Sequence, residues 1–511
     1  MNKLQYLDIY SKGYSLQSQW GLYLPQGLES LPNELRYLRW VHFPFGSLPS
    51  KFSGEKLVVL DLQYSNLTQL WHEGFKDLAN LKYLKLDSSV FLVELPDLSN
   101  ATDLEVIDLR LCTSLKSVHP SIFTLNKLKK LDLGGCFSLE SFKSDIHLNS
   151  LRYLSLAGCY ALKEFSVTSK EMVKLNLEST CIQQLPSSSI RLQTKLEKLL
   201  LGNSSIEKLP ESIKNLTRLS HLGLQNCSEL QSLPELPSSL IILDASGCVS
   251  LEIVDFPSTA HQMLKENKTR VAFWNCLKLN QHSLNAIRLN AQINMMKFTH
   301  QDISISRDHD YDAQGTYVYP GSNVPEWLLY RTTRDDMTID FSFGNHSSPL
   351  GFIFCFIVPQ VPSEGFILRF NIEIDEGEED IQLYLDRPRQ KIRSNHVCLI
   401  YYRSFSRYLN SRIKDQPKFK IKVTAESQTL TRQYVPLMML KGFGISPINT
   451  SQNLNFIQQM EMAEGPSIPI NTSQNLNFVQ QMEMAEGPSI SIVNILLFLV
   501  FIVLVVRMSV C

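Results

Sequence analysis

The hydrophobic positions of the chain recur in one frame, cleanest at Leu128–Leu139, LKKLDLGGCFSL. It reads L-x-x-L-x-L-x-x-C-x-x-L, and starts fall at Leu57, Leu81, Leu104, Leu128, Leu151, Met172, Leu196, Leu219 and Leu240. A degenerate copy starts at Leu35 and a possible one at Leu4. The starts lie about 21 to 24 residues apart, the period of leucine-rich repeats. One match carries no weight, because any amphipathic segment supplies it; a run at near-constant spacing is a repeat architecture. Within the frame, Leu131 and Leu133 alternate with Lys130 and Asp132, the period of a strand. Each repeat is therefore one short strand, a turn and a return arm. No repeat buries its leucines alone, so the repeats stack around one core. The expected fold is an α/β leucine-rich-repeat solenoid with a parallel sheet on its concave face.

The turn position holds Cys112, Cys136, Cys159, Cys227 and Cys248, with Ser65, Ser89, Thr180 and Ser204 in other repeats. A small side chain with a weak hydrogen-bonding group suits backbone that the turn leaves unpaired. Leu-Pro pairs at 31–32, 48–49, 95–96, 185–186, 209–210 and 233–234 mark the return arms. Proline lacks the ladder donor and forces extended or turn geometry, which argues against long helices there. After Pro210 a short helix fits, with Ile213 and Leu216 inward.

Past Leu251 the frame stops. Residues 255–270 read as a polar junction and 271–280 as an amphipathic cap over the open core. Leu284, Ile287, Ala291 and Met295 then fall at helical spacing. From 319 the chain turns β-rich: TIDFSF, GFIFCFIV, FILRFNIEI, HVCLIYY and FKIKVTA predict an all-β sandwich domain. The expected division is repeats 1–254, cap and junction 255–318, β-sandwich 319–447, and a linker 447–490. The linker is a tandem copy of one 22-residue unit, differing only at Ile457 against Val479. Ile492–Val506 is apolar except for Asn494. As a helix it spans about 26–30 Å counted from 487 or 490, the thickness of a bilayer core. A C-terminal transmembrane helix is expected over 490–506.

Composition narrows the function. A net charge of −1 leaves no global field favouring nucleic acid. Five of the ten cysteines follow the repeat period and lack C-x-x-C spacing, so they read as reduced thiols, neither disulfide framework nor zinc site. There is no G-x-x-x-x-G-K-[ST], H-x-x-x-H or G-x-S-x-G. The acidic run 375–380 lacks the alternating ligands of a calcium loop and reads as solvated. No catalytic residue, metal, cofactor or small-molecule substrate is expected. The outward strand positions are the candidate surface. Asp61, Asp108, Asp132 and Asp244 fall on one row and Lys130, Lys174 and Lys198 on the next, with Tyr83, Lys85, Arg110 and His221 also outward. A mixed-charge face suits recognition of a protein by complementarity; an ordinary soluble strand surface has the same look.

Three stretches carry a resemblance: LPNELRYLRW, KLVVLDLQYSNLTQLWHEGFKDLANLKYLKLDSS and ELPDLSNATDLEVIDLRLCTSLKSVHPSI. Trp40 with Pro44, Leu70-Trp71 with Gly74, and Leu95-Pro96-Asp97-Leu98-Ser99 match the leucine-rich repeats of plant intracellular immune receptors of the TIR–NB-LRR class. VAFWNCLKLN resembles their capping segment. YPGSNVPEW and the closing LKGFGISP resemble the post-LRR β-sandwich of the same receptors, often called C-JID. The resemblance implies that the concave face and the sandwich together contact a pathogen effector or a guarded host protein. It adds Pro320, Gly321 and Trp327 as candidate contacts; loop rigidity around a buried anchor explains the same residues. TIR and nucleotide-binding modules do not occur in these residues, so the chain resembles the sensor portion and is not expected to be an enzyme. The apolar tail implies a tail anchor with the repeats in the cytosol, the alternative being a cytoplasmic protein. An extracellular receptor-like protein, with sites such as Asn66-Leu67-Thr68, and a decayed gene product remain the other readings.

Overall fold

A computed structural model describes residues 3–10, 27–71, 77–257, 260–298, 313–342, 351–375, 379–437 and 440–448. They fall into two units, Met1–Ile253 with Cys276–Lys278, and Val254–Asn275 with Leu279 onward.

In the first unit the two alternating leucines of each repeat form a three- or four-residue strand. The strands are Tyr6–Ile9 (β1), Tyr37–Trp40 (β2), Val59–Asp61 (β3), Tyr83–Lys85 (β4), Val106–Asp108 (β5), Lys130–Asp132 (β6), Tyr153–Ser155 (β7), Lys174–Asn176 (β8), Lys198–Leu200 (β9), His221–Gly223 (β10) and Ile242–Asp244 (β11). Each pairs in parallel with the next, in one unbroken register. Leu128, Leu131, Leu133, Cys136 and Leu139 are all fully buried, and the corresponding positions of neighbouring repeats stack on them. This is the collective core that a single repeat could not build.

The turns complete the stack in both directions. One residue per repeat is left-handed: Tyr64, Ser88, Leu111, Gly135, Gly158, Ser179, Asn203, Asn226 and Gly247. From Tyr64 to Asn226 its N–H reaches forward to the next repeat, as from Tyr64 to Asp87 O (2.9 Å), Leu111 to Gly134 O (2.7 Å) and Asn203 to Gln225 O (2.6 Å). The cysteine after it reaches backward. Sγ of Cys112, Cys136, Cys159, Cys227 and Cys248 donates to Leu86, Leu109, Leu133, Leu201 and Leu224 O at 3.1–3.3 Å. Burial pushes the Cys112 and Cys159 thiols up to about 12. Cys276 repeats the contact on Ala245 O at 3.0 Å. The frame therefore runs one turn beyond Leu251, where the sequence pattern placed its end.

The return arms are extended, as the Leu-Pro pairs require. Glu94–Leu95 pairs with Ser117–Val118, and Ser141–His147 with Glu164–Thr168, both in parallel. Helical content in the described arms is short: 3-10 turns at Pro120–Thr124 and Glu211–Asn215, and one α-turn at Ser187–Arg191. The fold is thus a β-solenoid, and the α component expected from the repeat class shrinks to these turns.

The second unit opens with Arg270–Ala272 (β12), in parallel with Ala313–Pro320 (β13). His396–Tyr402 (β19) pairs antiparallel with β13 and with Gly351–Val358 (β16). Phe443–Ile448 (β22) pairs with β16 and with Tyr330–Thr332 (β14). A second antiparallel sheet runs Asp336–Asp340 (β15), Lys418–Thr429 (β20), Gly365–Ile374 (β17), Glu379–Asp386 (β18), with Tyr434–Pro436 (β21) on β20. Side chains of both sheets share one apolar core: Phe356 of β16 stacks on Phe370 of β17 at 4.1 Å. Besides the short helix Ala260–Lys265, this unit holds two longer ones among the described residues, Gln281–Phe298 (α1) and Arg403–Asp415 (α2).

The junction expected at 255–270 is more than a linker. Lys268 and Glu266 form an ion pair there, both side chains at most 3% exposed. Asn290 of α1 donates to Glu266 Oε2 at 2.6 Å, and Asn294 Oδ1 accepts from Lys268 N at 3.0 Å. Burial of an ion pair needs such added bonds, so α1 is buried on the Asn face as well as on its apolar stripe. The acidic run also has a structural role: Asp375 accepts from Lys420 N at 2.7 Å and pairs with Arg412. The tandem linker from 449 on and the apolar segment 490–506 lie outside the described residues; among the described ones, no helix is long and apolar enough to cross a membrane.

Candidate recognition face

Register aligns the outward side chains of the first unit into rows across the sheet. One row runs Val59, Tyr83, Val106, Lys130, Tyr153, Lys174, Lys198, His221, Ile242. The next runs Asp61, Lys85, Asp108, Asp132, Ser155, Asn176, Leu200, Gly223, Asp244. The alternation continues past the strand ends into a third row that includes Gln63, Asp87 and Arg110. The candidate residues Asp61, Tyr83, Lys85, Asp108, Arg110, Lys130, Asp132, Lys174, Lys198 and His221 therefore share one face.

The two charges behave differently. The aspartates, expected to be open, are covered: Asp61 is 4%, Asp108 6% and Asp132 6% exposed. Strands about 4.8 Å apart leave a short side chain walled in by longer neighbours. Arg110 grips Asp108 with Nε and Nη2, each at 2.8 Å. Gln63 Nε2 lies 3.5 Å and Arg39 Nε 3.8 Å from Asp61 Oδ2. Gly134 N donates to Asp132 Oδ1 at 3.2 Å, and Lys130 Nζ lies 4.0 Å from Asp132 Oδ2. Burial raises the carboxyls of Asp61 and Asp132 above their ordinary range. Asp87, which the sequence pattern did not single out, goes up to about 6, chiefly through burial, helped by the negative charge of Asp108.

The lysines stay near water. Lys130 and Lys174 flank Tyr153 on the neighbouring strands, their Nζ atoms 5.2 and 5.3 Å from its ring centre in cation–π contacts. Lys198 is exposed and Tyr83 is 38% exposed. The face thus recesses its aspartates at β3–β6 among Lys85, Arg110 and Lys130, and carries Lys174 and Lys198 nearer water at β8 and β9.

Pro320, Gly321 and Trp327 belong to the second unit. Pro320 pairs with His396 at the end of β13, and Gly321 N donates to Asn395 O at 3.1 Å. A Cβ at Gly321 would meet Val397 Cγ2 at 2.9 Å, so the glycine permits this close approach. Trp327 is half-buried, and the anchor of the loop is the adjacent Leu328, 1% exposed.

Stacked strands, a buried leucine core and a side-chain-lined concave sheet define a leucine-rich-repeat protein. Residues 54–273 match the family model of the leucine-rich repeats of RPS4B-like disease resistance proteins. Among the relatives, Disease resistance protein RML1B of Arabidopsis thaliana is 34% identical over 375 residues, 70% of this chain and 34% of that protein. Disease resistance protein RPS4B of the same plant is 30% identical, over 64% of this chain and 32% of its own length. Disease resistance protein RPP2A, also from Arabidopsis thaliana, is 39% identical over 47% and 16%. The chain therefore spans about a third or less of these relatives. Among solved structures, the leucine-rich repeat domain of the type III effector XopL is 24% identical, with a TM-score of 0.30, over 44% of this chain and 70% of that one.

Proposed function

We propose that this chain is the recognition portion of a plant innate immune receptor, binding a pathogen effector or a guarded host protein through the concave face. The observation that carries this reading is the ordered display of charge: ten candidate side chains held in register on a sheet whose underside is solid leucine. Such a platform fixes side-chain positions without loops and so lowers the ordering cost of binding. The relatives' names as disease resistance proteins support the same reading. The two-sheet second unit is read as the post-LRR sandwich of these receptors, with Pro320, Gly321 and Trp327 as a further contact region. The chain works here by binding; the purified protein is expected to turn over neither NAD nor ATP above a denatured control. The apolar segment 490–506 is read as a tail anchor that leaves the repeats in the cytosol. The free thiols of the described cysteines accord with that compartment.

The test is association in plant cells between the full chain and a panel of pathogen proteins, repeated with Lys174→Glu and Lys198→Glu together. Loss of association in a folded double variant supports the reading; full association with the concave face reversed in charge refutes it. Carbonate extraction of the full chain, beside one ending at Ser489, tests the anchor: release of the full chain, or retention of the shorter one, refutes it.

A further inference from the structure

We infer that the recessed aspartates of the concave face, at β3–β6, take an Arg or Lys side chain of the bound partner, with Asp61 and Asp87 as its acceptors. This rests on the reading of that face as the recognition surface, and adds the partner's chemistry.

Four carboxylates converge on neighbouring strands, and they are not equally provided for. Asp108 is held on both oxygens by Arg110. Asp132 has a backbone donor and Lys130 beside it. Asp61 has Gln63 Nε2 and Arg39 Nε near Oδ2 and the charge of Lys85 acting on it, yet its Oδ1 is buried with no hydrogen-bond donor among the described residues. Asp87 Oδ1 is bare in the same way. Both residues are more than nine-tenths buried, at 4% and 8% exposure. A buried acceptor without a donor costs free energy that a later donor recovers. Asp61 and Asp108 press negative charge on Asp87, and Arg110, already engaged with Asp108, only partly offsets it. Asp87 is thus held at a cost that a cation would relieve.

The donor set points to a side chain of a partner. Among the described residues, no group of three or more ligands is placed to hold a metal ion. The carboxylates come from adjacent strands, about 4.8 Å apart, a spacing that suits the diverging N–H groups of a guanidinium. Rotation of a carboxylate about its last torsion is soft, so a bare oxygen turns to the open face with little strain. Lys85 of the same repeat, and Asp61, Asp108 and Arg110 of the adjoining ones, are the charged groups facing Asp87. Protonation of Asp87 near pH 6 removes the acceptor, so capture of the cation weakens in acid.

The probe is a fluorescent acetyl-tetra-arginine amide, titrated into the full chain in mild detergent, at low salt and pH 7.5. Saturable binding is expected, weakened about tenfold by Asp87→Asn and by Asp61→Asn, the loss of roughly one charge-assisted hydrogen bond. Glu211→Gln on a return arm should leave it unchanged, and pH 5 should weaken the wild type but not Asp87→Asn. Circular dichroism establishes that each variant is folded. Equal affinity in the Asn variants overturns the inference, and so does displacement of the probe by calcium at equimolar concentration, which would mark a metal site. The same Asn variants enter the plant association assay. Partner binding lost with the lysine reversals but retained with both Asn changes would sink the inference and leave the recognition reading standing. Partner binding that survives every concave change sinks that reading, whatever the probe does.

Discussion

Asp87→Asn should stabilise the first unit at neutral pH and do nothing in acid. The carboxyl of Asp87 is raised from 3.8 to about 6, first by burial and then by Asp108, with Arg110 opposing. A native pKa above the unfolded one means that the native state holds the proton more tightly. The stability this group contributes is full below about pH 4 and is lost as pH rises through about 6. At about 1.4 kcal/mol per unit, the ceiling on the cost at pH 7.5 is about 3 kcal/mol. The concave side is open to water, which screens the charge and brings the expected gain down to about 1–2 kcal/mol. The assay is urea unfolding of the full chain and the variant at pH 7.5 and pH 4, followed by circular dichroism. A rise in midpoint at pH 7.5 that vanishes at pH 4 is the expected result. An equal shift at both pH values would mean that packing, not charge, is responsible; a fall at pH 7.5 would refute the burial argument outright.

Leu131→Ala and Leu133→Ala should each cost roughly 2–5 kcal/mol, because both side chains are fully enclosed. Lys174→Glu and Lys198→Glu should stay within about 0.5 kcal/mol; denaturant midpoints separate the two pairs, and equal losses would reverse the face assignment. Leu111 has a φ of 58° with its side chain 49% exposed, so Leu111→Asn should raise the thermal midpoint by the equivalent of about 1 kcal/mol. In the second unit, burial holds His396 down at about 4, and its Nε2 accepts from Asn275 N at 2.9 Å. The stability tied to this neutral ring is full above pH 6.5 and is lost as pH falls toward 4. His396→Gln should flatten that acid slope, which near-ultraviolet circular dichroism reads at Trp274, whose ring centre lies 5.0 Å from that of His396 in a tilted contact.

The repeat frame is legible because stacking demands the same apolar atoms in every copy, and leucine supplies nearly all of them. The frame fades where other side chains do that work: Val271, Phe273 and Leu279 stand at leucine positions around Cys276, and the turn reads as a cap. Facing was legible too, since Leu84 and Leu86 turn inward and Tyr83 and Lys85 outward. Carrying that alternation one step further would have found Asp87, which lies beyond the strand end. Depth was not legible. Whether Asp61 is open or enclosed depends on Arg39 in the preceding repeat, and no local pattern records a neighbour 22 positions away. The buried Lys268–Glu266 pair hid for the same reason, its partners arriving from α1. In β16 every residue is buried, so GFIFCFIV shows a continuous apolar run with no alternation to assign a face.

From Tyr64 to Asn226 each turn gives one bond forward, from the left-handed N–H, and several give one back, from the thiol. Every junction between repeats is therefore written in nearly the same grammar. A whole repeat copied or dropped by recombination rejoins donors and acceptors of the same kind on both sides. A break at a fractional period would strand them. Such a chain can lengthen, shorten or reshuffle its binding surface one strand at a time while its interior needs no redesign, so the outward rows are free to drift quickly over an inward face that hardly changes.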